Sequence, residues 1–394
     1  MSGSIGPLLA ADEQFNHQVV ETFASVGQSD PAWAEKVCGM AAAKDGSLQI
    51  AFGFGKYTNR NVVDAYAGIA RGKEQWVVRA SRALSEDTDG VSTGPIHYDI
   101  LEPLHKVRVR LEANDEQPIA FDIVFESRAP CVMEEREDRR DMRGYRKATD
   151  QLRYHQTGVV SGWLEVDGER IELSQDQWVS TRDKSWGIRP QVGVPLSDME
   201  PDFHQHIPQA LAIWNPMLFQ REDGSHYAFH HYFLRFSGAG FLHQKVQGGV
   251  ERDAASTSEH AEQADRVIGM TPSLHFDSTT KRLQHGAFNF DMEDGSTRQM
   301  TFEKCSETGF YLGAGHYHGG DGHHHGSWRG VQHADGDHVA DASTPDVLAR
   351  YKQFRDCMIK VVDPVGGGVG YGNCQTYVHG AWPEFGLDGS EPLY

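Results

Sequence analysis

The sequence has no long apolar segment. None of its 394 residues lies in a run of about 18 consecutive apolar residues, which is the length that a membrane-spanning helix needs. Residues 1–12 also lack the basic region and apolar core that are typical of a secretory signal. These two absences predict a protein with no membrane span that resides in the cytoplasm.

Paired cysteines are absent as well. The five cysteines are widely spaced, and no Cys-x-x-Cys motif occurs. An odd number without such pairs argues against a disulfide framework and a zinc–thiolate site, and it favours a reducing compartment. We therefore expect free thiols at Cys38, Cys131, Cys305, Cys357 and Cys374.

Positive charge is also scarce. The chain has 37 Lys and Arg residues against 56 Asp and Glu residues, which gives a formal net charge of −19. A polyanion would be repelled, so we expect no nucleic-acid partner.

The glycine-rich stretch 366–370 has neither a following helix nor a Lys-Ser/Thr pair, and no Gly-x-Ser-x-Gly elbow occurs. We accordingly expect no nucleotide cofactor and no serine-hydrolase triad.

Amphipathic helical patterns are rare, whereas alternating apolar and polar residues are frequent. Asp167-Gly168, between two such runs, is a strong hairpin signal. Thr344-Pro345 is the clearest helix start. Many short strands without intervening helices predict an all-β protein of sandwich or barrel type. The predicted strands cover 47–55, 62–70, 75–81, 96–101, 106–111, 119–125, 154–163, 169–173, 211–220, 227–236, 273–277, 287–292, 298–302 and 369–378.

Three segments do not show this alternation. Residues 12–45 are predicted to be helical or irregular, with a short helix opening at Asp30-Pro31. The densely charged run 133–141 is predicted to be a solvated loop or short helix. The polar stretch 248–265 is predicted to be a loop.

Several motifs together resemble the hydroxyneurosporene synthase (carotenoid 1,2-hydratase) and AttH-like superfamily. They are the segments 94–103, 157–168 and 325–330, and the Arg-Asp-Lys-Ser-Trp-Gly-x-Arg motif at 182–189. The resemblance implies two consecutive lipocalin-like β-barrels or sandwiches with a few short helices. We place the domains at 1–180 and 181–394, with the boundary motif at 182–190. The superfamily usually has histidine where this chain has Lys184, so an acid/base role at that position does not carry over.

The boundary motif allows two interpretations. Asp183, between Arg182 and Arg189, stays ionised if it is paired with them, and the motif then ties one domain to the other. Alternatively, Asp183 is a catalytic acid or base, Trp186 is a wall of an apolar pocket, and Arg189 anchors a carboxylate or phenolate. Replacing Asp183 separates the two.

The stretch 226–235 is rich in histidine and aromatic residues. In a strand, His230 and Tyr232 share one face and His231 lies on the other. Either face could line a pocket for an aromatic or polyene ligand, and a histidine near its usual pKa can transfer protons at neutral pH. The sequence does not decide which face points into the pocket, because a shift of one residue exchanges them.

The glycine-rich stretch 316–325 holds five histidines and an aspartate. Such a cluster suggests a metal site, but a flexible loop rarely holds ligands rigidly, so we expect no functional metal. The alternatives are a loop at the mouth of a pocket that contributes His325 and a solvated loop without a functional role. Segment 202–206, with His204 and His206, is interpreted as linker, although it could reach the same cleft.

These features favour a cofactor-independent lyase, hydratase or isomerase that acts by proton transfer on a hydrophobic aromatic or isoprenoid molecule. Ether opening, decarboxylation, and addition or elimination of water all fit an acid and a base in an apolar pocket. A non-catalytic lipid- or terpenoid-binding protein is the second hypothesis, and a metal-dependent enzyme that uses the histidine loop is the third. A homodimer stays an open alternative.

The candidate catalytic residues are Asp183, His230, Tyr232 and His325. The candidate substrate-binding residues are Trp186, Arg189, Trp214 and Trp328.

Overall fold

The protein is built almost entirely from antiparallel strands, as expected. The computed structural model describes residues 8–22, 25–85, 90–140, 144–194, 198, 209–238, 241–251, 264–277, 282–317, 319–352 and 354–389. Within these ranges a single α-helix, α1 (Pro345–Tyr351), follows the predicted Thr344-Pro345 start. None of the described helices is long and apolar enough to cross a membrane.

The first half of the chain forms fourteen strands. A 3₁₀ turn at Ala10–Glu13 precedes them. They are β1 (Val19–Thr22), β2 (Ser25–Val26), β3 (Trp33–Ala43), β4 (Leu48–Tyr57), β5 (Val62–Arg71), β6 (Glu74–Arg82), β7 (Ile96–Glu102), β8 (Lys106–Leu111), β9 (Ile119–Ser127), β10 (Val132–Met133), β11 (Glu137–Arg140), β12 (Lys147–Val166), β13 (Glu169–Leu173) and β14 (Trp178–Ile188).

The second half forms fourteen more strands in the described ranges, with α1 between β22 and β23. They are β15 (Gln209–Arg221), β16 (His226–Gly238), β17 (Phe241–Glu251), β18 (Ala264–Phe276), β19 (Leu283–Met292), β20 (Thr297–Lys304), β21 (Phe310–Tyr311), β22 (Gln332–Val339), β23 (Phe354–Asp356), β24 (Met358–Asp363), β25 (Gly368–Asn373), β26 (Gln375–His379), β27 (Ala381–Trp382) and β28 (Leu387–Asp388).

The first large sheet is curled and open. Its strand order is β22-β6-β5-β4-β3-β14-β12-β9-β8-β7, and β10, β11 and β13 pair with β12. The concave face encloses one apolar core, which includes Phe52, Phe54, Phe121 and Trp178. Burying each such side chain contributes about 1.5–3 kcal/mol, so this face holds the sheet in its curled shape.

The second large sheet closes on itself. Strands β16-β17-β18-β19-β20-β24-β25-β15 follow one another, and β15 pairs back with β16 to complete an eight-stranded barrel. Its interior is filled by side chains such as Phe229, Phe288, Phe290 and Met300. The all-β, lipocalin-like prediction is therefore confirmed, with a curled half-barrel followed by a closed barrel.

Three local predictions were wrong. Residues 33–43 form β3, and Asp30-Pro31 opens a turn that does not continue as a helix. Within the polar stretch 248–265, residues 248–251 end β17, and 264–265 begin β18. The run 133–141 contains β11 and a buried glutamate, Glu134.

The division into domains stays a prediction. The expected boundary at residue 180 falls inside β14, which pairs with β3 on one side and β12 on the other. Late in the chain, β22 returns to the first sheet and pairs with β6. All five cysteines are free, in agreement with the expectation.

Candidate functional site

The candidate site lies where the outer face of the first sheet packs against the barrel. Alternate residues of β14 point to opposite sides of this sheet. Arg182 points into the concave interior, where its guanidinium donates to both oxygens of Glu13 at 2.6 and 2.9 Å and to Gln156. Asp183 therefore lies on the outer face, where its cross-strand neighbours are His155 on β12 and Cys38 on β3.

Glu134 is the centre of a buried polar network at this junction. Its Oε1 atom accepts hydrogen bonds from Trp214 Nε1 at 2.8 Å and from His155 Nδ1 at 3.1 Å. Its Oε2 atom accepts from Arg153 Nε at 2.9 Å and from Gln247 Nε2 at 3.1 Å. Because Trp214 and Gln247 belong to the barrel and the other residues to the first sheet, one carboxylate connects the two.

A pair of stacked imidazoles adjoins Glu134. The rings of His155 and His230 lie 3.7 Å apart at an interplanar angle of 26°. His155 Nε2 contacts Glu251 Oε1 on β17 at 2.5 Å, and His230 Nε2 lies 3.6 Å from Glu134 Oε1. Within the described part of the chain, neither ring nitrogen of His230 has a hydrogen-bond partner. The hydrogen-bonding capacity of this buried imidazole is therefore unused by the described residues.

The two imidazoles carry different charges. Burial opposes protonation of His155, but the carboxylates of Glu251 and Glu134 raise its pKa to about 9. Burial, together with the positive charge of His155, holds the pKa of His230 well below its usual range. Although burial acts in the opposite direction, the charge of Arg153 and the hydrogen bond from His155 keep the pKa of Glu134 well below that of a free glutamate. At neutral pH an imidazolium thus stacks on a neutral imidazole.

Glu134, His155 and His230 also offer three ligand atoms that lie within 4.8 Å of one another. A zinc ion binds imidazole nitrogens at about 2.0–2.1 Å along their in-plane lone pairs, so the ring planes of two ligands must meet at the ion. Here the planes are nearly parallel. Glu134 is moreover occupied by donors that include the cationic Arg153. The geometry fits an ion-pair network and does not fit a metal centre.

Asp183 is one of four partly accessible residues where the sheet faces the barrel. It is half-buried, whereas Arg182 and Lys184 on either side are fully buried, and its neighbour Cys38 is half-buried as well. Arg153 and Tyr232 are also partly accessible, and the Arg153 guanidinium lies 5.0 Å from the centre of the Tyr232 ring. These four residues, Arg153, Asp183, Cys38 and Tyr232, define what we call the cleft.

The environment of Asp183 raises its pKa towards neutral pH. Burial raises the pKa of Asp183 to about 6, and the positive charges of Arg153, Arg189 and Lys36 oppose a larger rise. A carboxyl group with this pKa exists in both forms near neutrality, as a general acid or base requires. The cleft therefore contains one group suited to proton transfer.

A second polar cluster adjoins the cleft on the same face. The Lys36 ammonium lies 3.1 Å from His325 Nδ1 and 4.4 Å from the centre of the Tyr317 ring. The Tyr317 hydroxyl is 3.1 Å from Cys38 Sγ. Arg189 donates to Ser185 Oγ at 3.2 Å. Burial lowers the pKa of Lys36 and holds that of His325 well below its usual range.

The structure settles which face of the histidine-rich strand meets the first sheet. His230 and Tyr232 on β16 point towards it, and Trp214 on β15 lies beside Tyr232. His231 points into the barrel, where it contacts Asn215 at 3.1 Å and Phe288. Burial lowers the pKa of His231 to about 3, so this histidine remains neutral.

The remaining sequence-predicted residues are placed apart. Trp186 lies on the inner face of the first sheet and stacks on His17 at 3.8 Å, away from Asp183. Trp328 is 54% exposed on the loop before β22. In the histidine loop, His325 reaches Lys36, whereas His316 contacts the Ala65 carbonyl oxygen. His318 and the segment 202–206 lie outside the described residues.

Sequence reasoning missed most of the network around Glu134. The charged run suggested solvent exposure, yet Glu134 is 5% exposed. The alternation of β12 places Arg153 and His155 on one face, and this signal could have been read. Nothing local marked Glu251 or Lys36, because their burial depends on partners far away in sequence.

The chain is similar in overall structure to solved proteins whose sequences are very different. A candidate AttH protein from Nitrosomonas europaea is 13% identical, with a TM-score of 0.49, over 87% of this chain and 92% of that chain. Kievitone hydratase from Nectria haematococca is 10% identical, with a TM-score of 0.42, over 93% and 95%. CghA with Sch210972 is 13% identical, with a TM-score of 0.47, over 93% and 97%.

At the level of sequence, no protein with a curated description matches the chain. A family model does match, and it spans residues 8–381, which include both sheets and every residue of the network and the cleft. The chain therefore belongs to this family, the family of unknown function DUF8625.

Proposed function

We propose that the chain is a lyase of the hydratase type that moves protons within the cleft, on a hydrophobic aromatic or isoprenoid molecule. The observation that carries the proposal is Asp183. It is a half-buried carboxyl group at an internal boundary between two sheets, where strand neighbours on both sides are fully buried. A carboxyl group that is only partly accessible to water costs stability when it is ionised. Such groups are typical of reactive sites.

Asp183 supplies the acid or base. With its pKa raised to about 6 by burial, it can protonate an alkene or remove a proton next to a leaving hydroxyl group. Its charge can change without a counter-ion moving, because Arg153 stays paired with Glu134 at 2.9 Å. The ion-pair network therefore fixes the electrostatics around one titrating group.

His230 and Tyr232 supply further hydrogen-bonding groups. His230 is neutral and has no hydrogen-bond partner at either ring nitrogen in the described structure, so its role would be to orient a water molecule or a hydroxyl group by hydrogen bonding. Tyr232 is partly accessible below Arg153. Arg189 is the candidate anchor for a carboxylate or phenolate group of the substrate.

The apolar part of the substrate would lie against aromatic rings. Trp214 and Tyr232 provide them on the barrel side, and Tyr317 and Phe354, whose rings lie 5.5 Å apart, continue the surface towards Lys36. Such rings suit a planar or polyene substrate. The superfamily that the motif around Asp183 resembles includes a carotenoid hydratase, and this supports addition or elimination of water among the reactions considered.

The test is proton incorporation from solvent. The protein is incubated in D₂O with a panel of unsaturated aromatic and isoprenoid compounds. Mass spectrometry of the products then measures how much deuterium they contain. We expect Asp183→Asn to slow turnover by about 10²–10⁴-fold, the usual contribution of a general acid or base. Asp115→Asn, at an exposed turn, is the matched control. A change of less than about threefold in Asp183→Asn would remove this residue from the mechanism.

A binding protein without catalysis is the second candidate function. The filled barrel limits where such a protein would hold its ligand. Phe229, Phe288 and Met300 occupy the barrel interior with no exposure, so a ligand would have to use the cleft. Quenching of tryptophan fluorescence by panel compounds, with no product and no deuterium incorporation, would support this candidate over the lyase.

A further inference from the structure

Lys36 is a buried amine with little to hold its charge. It is 3% exposed, and His325 Nδ1 is the one hydrogen-bond acceptor of its Nζ atom among the described residues. None of the described carboxylates lies within 4.0 Å of that atom. A buried ammonium group without a paired carboxylate is unfavourable, so the neutral amine is stabilised relative to its solvent-exposed counterpart.

Another buried lysine of the first sheet shows the contrast. Lys184 points into the concave interior and donates to the backbone carbonyl oxygens of Asp12 and Gln14. Burial lowers the pKa of Lys184 to about 8 as well, but the two carbonyls take its hydrogen bonds, which is the arrangement of a structural lysine. Lys36 has in their place a neutral imidazole and the face of the Tyr317 ring. This environment is that of an amine used as a nucleophile.

Lys36 is also next to the accessible part of the cleft. On β3 it lies two residues from the half-buried Cys38 and therefore on the same face of the sheet. It pairs with Ser185 of β14, so Asp183 is its diagonal neighbour. A molecule that touches Cys38 and Asp183 thus lies beside the amine.

We propose that Lys36 forms an imine with the carbonyl group of a hydrophobic aldehyde or ketone bound in the cleft. The proposal uses the same cleft as the lyase function, but it does not depend on the catalytic role of Asp183. An iminium group withdraws electrons from the adjacent carbon, so a proton on that carbon becomes removable by a nearby base such as Asp183.

The step balances without another reactant. The Lys36 nitrogen attacks the carbonyl carbon, a C–N bond forms, and the π-electron pair moves to oxygen. His325 Nδ1, which lies 3.1 Å from Nζ, relays the two protons of the nitrogen in turn to the carbonyl oxygen. The first transfer gives the carbinolamine. With the second, the C–O bond breaks, the oxygen leaves as water and the C=N bond forms. Amine and carbonyl compound give imine and water.

The experiment traps this bond in the full-length wild-type protein. Cinnamaldehyde is added with sodium cyanoborohydride, which reduces an imine to a stable secondary amine, and the modified lysine is located by peptide mass mapping. We expect a mass gain equal to the aldehyde minus one oxygen atom at Lys36. Labelling there should exceed that of the exposed Lys73, because burial lowers the pKa of Lys36 and leaves more of its amine uncharged.

Two controls complete the design. Omitting the hydride should abolish the stable label, and Lys36→Met, which keeps the length of the side chain, should lose the Lys36 label and retain that of Lys73. The proposal is overturned if surface lysines of the wild-type protein are labelled and Lys36 is not. This result needs no variant, so it does not depend on whether Lys36→Met folds. Deuterium incorporation that depends on Asp183 is measured separately, so failure of one proposal is distinguishable from failure of the other.

Discussion

His155 Nε2 lies 2.5 Å from Glu251 Oε1, and this contact joins the longest strand of the first sheet to the barrel. Both side chains are fully buried. Together with Glu134, which bonds Trp214 and Gln247 of the barrel, they form a charged junction without direct access to water. We expect the sheet and the barrel to unfold as one unit, because separating them would expose a network whose members depend on one another.

The first prediction concerns pH. The pKa of His155 is raised to about 9 in the folded protein, chiefly by Glu251 against the effect of burial. The stabilisation is therefore complete below the unfolded value and is lost as pH rises through 9. Urea unfolding should show a loss of about 3 kcal/mol between about pH 6 and about pH 10.

His155→Gln is the control for this prediction. It removes the titrating group and should flatten the dependence of unfolding free energy on pH over that interval, although it lowers stability at neutral pH. A wild-type protein that is equally stable at both ends of the interval would contradict the protonated state assigned to His155.

The second prediction compares two adjacent glutamates. Glu134→Gln leaves Arg153 buried beside a neutral group and should cost about 3–5 kcal/mol in chemical unfolding. Glu135→Gln removes exposed contacts to Lys245 and Arg266 at 3.8 Å and should cost less than about 1 kcal/mol. Equal costs would show that the junction is not the stabilising element.

The third prediction separates the two interpretations of Asp183. Burial raises the pKa of Asp183 to about 6, so its ionised form destabilises the folded protein above that pH. Asp183→Asn should raise the free energy of unfolding by about 1–2 kcal/mol at about pH 7.5, after allowance for partial exposure, and have little effect near pH 4. If Asp183 instead ties sheet to barrel, the substitution lowers the melting temperature at both values.

The fourth prediction concerns the interior of the first sheet. Arg182→Met leaves Glu13 as an unpaired buried charge and should cost about 3–5 kcal/mol. The double variant Glu13→Gln/Arg182→Met should lose less than the sum of the single variants, measured by a double-mutant cycle. Arg170→Met, at an exposed pair with Glu172, is the control. Additive losses would show that the two charges act independently.

The fold could be predicted wherever local chemistry determines it. The Asp167-Gly168 turn sets the β12–β13 hairpin, and proline at the first helical position marks α1. The strand at 33–43 was missed because alanine and glycine interrupt its alternation, and its burial comes from pairing with β4 and β14. Tertiary pairing there outweighs weak local preference.

The candidate site was accessible to sequence reasoning only in part. Asp183, His230 and His325 stood out because they occur in dense polar or histidine-rich motifs. Glu134 looked solvated because a carboxylate in a charged run usually is, and only the distant donors that surround it keep it charged inside the protein. Contacts between residues so far apart in sequence leave no periodic pattern.

The alternation of β14 has a practical consequence for engineering. Asp183 and Ser185 face the cleft, whereas Arg182 and Lys184 face the filled interior of the sheet. A mutant library confined to the odd-numbered positions, and to their neighbours on β3 and β12, would vary only side chains of the proposed ligand site. Leaving the even-numbered positions unchanged would preserve the packed interior of the sheet. Residues that face the proposed ligand and residues that stabilise the fold could therefore be varied separately on one strand.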